Sequence, residues 1–296
     1  MPAPDHSPPS STATNQAPPV IAVRELVKKF DGRTVLESIS LDVLPGETLV
    51  IMGGSGCGKS TLLRCLIGAI KPDGGSIRMF GHDLCRTNEA GMVEIKKKFG
   101  ILFQSGALFN SMTIAENVAL PLREHTDLDE DTIETIVTIK LEQVALREHA
   151  DKFPSQISGG MKKRAGLARA MALDPQVLFY DEPSAGLDPV TSAEIDQLIV
   201  SLTRGLGVTS VVVTHEMDSA FTIADRMVML DKGRVLRLAD RAWFDALRRT
   251  PEEGVADLSE DDRIIRQFLR GDADGPITTR RSGSSYADDL IDRKRG

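Results

Sequence analysis

Nine consecutive residues could do chemistry on a phosphate: Gly53-Gly54-Ser55-Gly56-Cys57-Gly58-Lys59-Ser60-Thr61. Glycines let backbone N–H groups converge on a β-phosphate, where a Cβ would block close approach or forbid the dihedrals. Lys59 reaches the β- and γ-phosphates as a point charge, and the Ser60 hydroxyl is placed to hold Mg²⁺. A helix starting near Lys59 adds its unpaired amides and positive dipole end. The context is the required one, with apolar Thr48-Leu49-Val50-Ile51-Met52 before the loop and Leu62-Leu63-Arg64-Cys65-Leu66-Ile67 after it. Strand, glycine loop and helix together predict a site for a nucleoside triphosphate. Cys57 reads as a small tolerated side chain; its position predicts that alkylation blocks nucleotide binding and that bound nucleotide protects.

A second group of residues narrows the chemistry. Val177-Leu178-Phe179-Tyr180-Asp181-Glu182 reads as a buried strand ending in two carboxylates. Asp181 suits the Mg²⁺ shell, and Glu182 suits orienting and deprotonating an attacking water, a role that typically contributes about 10²–10⁴-fold in rate. Between loop and strand lies Ile157-Ser158-Gly159-Gly160-Met161-Lys162-Lys163-Arg164, in which Ser158 opens a helix as its cap and the basic residues read as a solvated face. His215 follows the apolar run Val211-Val212-Val213-Thr214.

The elements that must position these groups alternate strand and helix. Ile21-Ala22-Val23, Thr34-Val35-Leu36 and Ile39-Ser40-Leu41-Asp42-Val43 are strand-like, with turns at Asp31-Gly32 and Pro45-Gly46. Further strands are expected at Ser76-Ile77-Arg78-Met79-Phe80 and Phe99-Gly100-Ile101-Leu102-Phe103, and a hairpin about Asp231-Lys232-Gly233-Arg234. Residues 113–172 look helical, opened by a capping box in Thr113-Ile114-Ala115-Glu116. The 296-residue chain can bury a substantial core, and 41% apolar with 27% charged residues is ordinary for a globular protein. A net charge of −7 argues against nucleic acid as a partner. Cys57, Cys65 and Cys85 make no metal-ligand spacing and suit a reducing compartment. No apolar run approaches the roughly 18–20 residues that span a bilayer. Residues 1–19, rich in Pro, Ser, Ala and Thr, lack the apolar centre of a signal peptide and are expected to be a disordered leader. A cytoplasmic location follows, at a membrane only through a partner.

Taken in order, the glycine loop, Gln104 after a strand, Ser158-Gly159-Gly160, Asp181-Glu182, Ser184-Ala185-Gly186-Leu187-Asp188 and His215 resemble the ATP-binding cassette (ABC) ATPases. The resemblance implies an α/β fold of the P-loop NTPase class: a RecA-like core with an antiparallel β subdomain and a helical subdomain at about residues 105–173, all within residues 20–248. It implies ATP and Mg²⁺ as ligands and a head-to-tail homodimer enclosing two ATP molecules. Ser158, Gly159 and Gly160 of one protomer would then face the γ-phosphate held by Lys59 of the other, with Asp188 beside the nucleotide. Gln104 would sense Mg²⁺ and water, and His215 would contact the γ-phosphate and hold water and Glu182 in place. Phe30 sits where the family places an aromatic against adenine, the alternative being a plain core residue.

A finer resemblance rests on Phe103-Gln104-Ser105-Gly106-Ala107-Leu108-Phe109, Glu116-Asn117-Val118-Ala119-Leu120-Pro121-Leu122-Arg123-Glu124-His125-Thr126 and Ser158-Gly159-Gly160-Met161-Lys162-Lys163-Arg164-Ala165. These are similar to the ATPases of MCE-linked, Mla-type phospholipid transporters. That family implies an integral membrane permease, an MCE-domain protein and in some systems a STAS-domain subunit, at the cytoplasmic face of a bacterial inner membrane. Gly54 departs from the many cassette loops with proline there. Residues 249–270 are expected to be a linker and helical extension, in which Arg263-Ile264-Ile265-Arg266-Gln267-Phe268-Leu269 resembles the segment by which such ATPases embrace each other. Residues 271–296 are expected to be a disordered tail. The competing readings are an importer ATPase for amino acids or other polar solutes, and a soluble ATP-driven switch.

Overall fold

The chain begins its fold with a hairpin, β1 (Ile21–Phe30) and β2 (Arg33–Val43), whose turn residues Asp31 and Gly32 both have positive φ, 48° and 79°. Two positive φ values at a two-residue turn match the twist of the flanking strands. A computed structural model describes residues 17–282; residues 1–16 of the expected leader and 283–296 of the expected tail lie outside the described residues. β3 (Thr48–Gly53) enters the glycine loop and α1 (Lys59–Leu66) leaves it. β4 (Gly74–Met79) and β5 (His82–Asp83) complete a four-stranded antiparallel sheet in the order β2-β1-β4-β5. β1 is longer than its Ile21-Ala22-Val23 signal because it pairs on both edges, through register shifts after Val23 that break the apolar alternation.

α2 (Glu89–Lys96), capped by Asn88, leads into β6 (Phe99–Leu102). Three helices follow: α3 (Ile114–His125), α4 (Glu130–Gln143) and α5 (Gly159–Ala170). Thr113 and Glu116 form the expected capping box at the head of α3, with bonds of 3.2 and 2.7 Å. The chain then alternates through β7 (Val177–Asp181), α6 (Pro189–Leu206), β8 (Thr209–Val213), α7 (Met217–Ile223), β9 (Arg226–Asp231) and β10 (Arg234–Asp240). These strands build a six-stranded sheet in the order β10-β9-β3-β8-β7-β6, parallel except for β10 on its edge.

Both faces of this sheet are buried, and strand alternation divides them. Val50, Met52, Leu178, Tyr180 and Val212 face one core with α3, α5 and α6, whereas Leu49, Ile51, Phe179, Val211 and Val213 face a second core shared with the antiparallel sheet and α1. A parallel sheet covered on both sides gives continuous apolar runs, which is how these strands read in the sequence.

The C-terminal region departs from expectation. α8 (Arg241–Arg249) and α9 (Glu260–Arg270) are followed by α10 (Pro276–Ser282), so order extends past Gly271 into the segment expected to be a disordered tail. Buried Gln267 accepts from Ile277 N at 2.7 Å and donates to Asp272 O at 3.1 Å, which pins α10 to α9. The stretch likened to an embracing extension spends its apolar face within its own chain. Ile265 and Leu269 pack in the core with Phe244 and Leu247, and Arg266 is buried against Thr250 O and Glu252.

Candidate functional site

Parallel strands deliver their C-terminal ends to one edge of the sheet, where ligands of such sheets bind. Register places Ile51, Val213 and Asp181 abreast on β3, β8 and β7, so the residues following each strand emerge together. From β3 comes the glycine loop, from β7 Asp181 and Glu182, from β8 Thr214 and His215, and two residues beyond β6 the exposed Gln104.

Two glycines in the loop are sterically required. Gly53 has φ 152°, and a Cβ there would collide with the Leu230 carbonyl. Gly58, with φ 108°, caps α1, and a Cβ there would lie 2.7 Å from Leu36 Cδ2. Gly54 has no atom within 4 Å of an added Cβ, so the loop leaves open space at the position where cassettes often carry proline. Buried Lys59 folds back over the loop, its Nζ donating to Gly53 O at 2.7 Å and Gly54 O at 3.1 Å. Ser60 is exposed at the first turn of α1, with Thr61 half-buried behind it and Ser55 and Gly56 exposed at the crest. Cys57 is buried, and burial pushes its thiol up despite nearby Lys59. Reaction with an alkylator therefore requires the loop to open.

Asp181 is half-buried; desolvation raises its pKa, Glu182 raises it further, and Arg64, Lys163 and Lys59 oppose. Glu182 has φ +49°, a left-handed conformation that costs a non-glycine residue on the order of 1–3 kcal/mol and clusters at functional sites. Its N–H donates to Val213 O at 2.9 Å. Its carboxylate is clamped by His215, whose Nδ1 lies 2.9 Å from Oε1 and whose backbone N–H is 3.4 Å from Oε2. A carboxylate oriented by an imidazole, here a side chain 60% exposed, can accept a proton from water and hold a charge beside it.

The remaining expected residues lie elsewhere on the surface. Ser158 caps α5 by accepting from Met161 N at 3.3 Å, and Gly159 and Gly160 pack against Leu187 and Thr191, where a Cβ on Gly160 would collide with the Thr191 methyl. Asp188 spends both oxygens capping α6, accepting from Val190 N and Thr191 N at 3.1 Å and from Thr191 Oγ1 at 2.5 Å. Its own chain thus uses Asp188 to hold a helix. Phe30 ends β1 with 45% of its surface exposed and Lys28 Nζ 5.2 Å from its ring centroid, so it is not a plain core residue. A groove of about 480 Å³ runs along β6, lined by Ile67, Phe99, Phe103, Pro121, His125 and Leu173 among others.

Two features were not read from the sequence. Lys163, placed on a solvated basic face, is buried with Nζ 3.0 Å from Glu182 O. Its helical spacing with Gly160 and Leu167, three residues before it and four after on the buried side of α5, carried that signal. Ser184, two residues past Glu182, also joins a buried chain in which its hydroxyl lies 3.3 Å from Ser219 Oγ and Ser219 donates to Asp196 at 2.6 Å.

Comparison with known proteins places this geometry among relatives. The ABC transporter family profile matches residues 36–185. The chain is 42% identical over 257 residues to the probable ribonucleotide transport ATP-binding protein mkl of Mycobacterium leprae, covering 87% of this chain and 70% of that protein. It is 39% identical over 275 residues to the intermembrane phospholipid transport system ATP-binding protein MlaF of Haemophilus influenzae, covering 92% and 98%. Among solved structures, the dimeric ATP-binding cassette MJ0796 bound to ADP and Pi superposes with a TM-score of 0.69 at 30% identity, covering 75% of this chain and 98% of that one.

Proposed function

The chain is an ATPase of the ABC transporter family, and on that premise we propose that it drives phospholipid movement between the inner and outer membranes of a bacterium, beneath an integral permease with an MCE-domain partner. The observation that carries this reading is the nearly end-to-end alignment, on both sides, with an intermembrane phospholipid transport protein. The mycobacterial relative's ribonucleotide label favours the second reading, an importer motor for polar solutes, but over a smaller share of each chain. No helix among the described residues is long and apolar enough to cross a membrane, and in this reading the permease spans it. The groove bordered by Phe103, Pro121 and His125 is the place for that partner to feel the nucleotide site, since Gln104 adjoins Phe103.

Hydrolysis follows from the sheet edge. Backbone amides of Gly56 to Thr61 and the Lys59 ammonium bind the ATP phosphates, while Phe30 offers an exposed ring to adenine. Among the described residues no cluster of three His, Cys, Asp or Glu side chains could hold a metal alone. The hard oxygens of Ser60, Asp181 and Gln104 suit Mg²⁺ and would hold it beside the bound nucleotide. Bound Mg²⁺ supplies charge neutralisation at the β- and γ-phosphates. Glu182 accepts the proton of the attacking water, and His215 holds that carboxylate and presents its outer edge to the γ-phosphate. Ser158, Gly159 and Gly160 from a second protomer close the site, with Asp188 at the junction, so ATP joins two copies and product release parts them.

Affinity purification of the tagged full-length chain from membranes, with mass spectrometry, tests the assignment. A co-purifying permease and MCE-domain protein, with or without a STAS-domain subunit, is the expected result. A permease with a periplasmic solute-binding protein makes the chain a polar-solute motor, and recovery of neither revives the soluble switch.

A further inference from the structure

Glu182 is held in a left-handed conformation that a non-glycine residue keeps only where its neighbours over-determine it. Two of its backbone contacts are expected of any strand end: its N–H bonds Val213 O on the adjacent strand, and its carbonyl accepts from Ala185 N at 3.3 Å in the following turn. The third comes from far along the chain. Lys163, five residues into the segment opened by Ser158, buries its whole side chain and donates to the Glu182 carbonyl at 3.0 Å. A buried ammonium normally seeks a carboxylate. Here its hydrogen bond goes to a carbonyl; burial pushes its pKa down, and the nearby carboxylates of Asp181, Glu182 and Glu216 oppose that. The two lysines beside α5's capped head therefore differ: Lys162 is half-exposed, whereas Lys163 is locked beneath the hydrolytic carboxylate.

We infer that Lys163 is a positioning residue that fixes the Glu182 backbone and so ties the placement of the general base to helix α5. The same helix carries Ser158 and Gly160 at its N-terminus. A shift of α5 when those residues engage a second protomer's nucleotide is transmitted through one buried side chain to this protomer's own base. The inference rests on Glu182 being the base, and its test separates the two.

Full-length Lys163→Met, which keeps the buried bulk but removes the donor, is compared with Lys163→Arg, Glu182→Gln and the Met/Gln double variant. ATP affinity, KM, kcat and melting temperature are measured for each. The expected result for Lys163→Met is a kcat lowered by at least about tenfold with ATP affinity and KM unchanged, most of it restored in Lys163→Arg. The double variant should be no slower than Glu182→Gln alone, because both changes act through one group. A wild-type kcat in Lys163→Met, an equal loss in Lys163→Arg, or losses that add in the double variant would overturn the inference. Should Lys163→Met fail to fold, Lys163→Gln, which shortens the reach of the donor, carries the same expectations. A wild-type rate in Glu182→Gln removes the base assignment itself, whereas a slow Glu182→Gln beside a normal Lys163→Met removes only the role of Lys163.

Discussion

The glycine loop after β3 and the carboxylate pair at the end of β7 lie on the same sheet edge with β8 between them, yet they are held in different ways. The loop is fixed by what its residues lack: Gly53 and Gly58 occupy positive φ where any Cβ meets backbone or a packed leucine. The carboxylate end is fixed by what reaches it: Val213 from β8, His215 beyond it and Lys163 from α5 converge on Glu182. A phosphate cradle must bind before any chemistry and can be rigid and local. In the proposed mechanism the base is placed relative to a closing second protomer, and attachments to several elements let it respond to each.

This contrast can be broken at its strongest point first. Lys59→Ala removes the only lysine of the loop, and ATP affinity measured by equilibrium binding should fall by at least about 100-fold, while the carboxylate end keeps its geometry. Gly53→Ala sharpens the steric half: positive φ and the Leu230 carbonyl together should cost at least about 1–2 kcal/mol in denaturant unfolding. Gly54→Ala, one residue on, should leave stability within about 0.5 kcal/mol, since no atom stands within 4 Å of its Cβ.

The smallest effect belongs to the buried chain behind the carboxylate end. Burial raises the Asp196 pKa, Glu216 raises it further, and the Ser219 hydrogen bond opposes. The folded state therefore holds the Asp196 proton more tightly than the unfolded chain, so this group's contribution to stability declines as pH rises through its raised folded value. It is most favourable below the unfolded value of about 3.8. Asp196→Asn should remove that part of the slope, read as a flatter melting temperature between pH 4 and neutrality, to about 1 °C.

Legibility in the sequence follows the same division. The glycine loop, the capping box and the fully buried strands were readable because each is set by neighbours in sequence: Thr113 and Glu116 cap α3 as their spacing demands. Asp181, Glu182 and His215 could be named, but their mutual clamp could not, since β7 and β8 meet only in the folded sheet. Lys163 was misplaced on a solvated face because the basic triplet was read by its charge and not by its helical spacing with Gly160 and Leu167, which face the core. Order beyond Gly271 escaped notice because one buried glutamine, Gln267, holds α10, and a glutamine gives no apolar signal.

The most direct measurement is single-turnover hydrolysis and ATP binding by full-length Glu182→Gln. The geometry predicts ATP affinity close to wild type with ADP formation slowed by at least about 100-fold, because only the proton acceptor clamped by His215 has changed. ADP formation at the wild-type rate would contradict it and move the catalytic centre away from the end of β7.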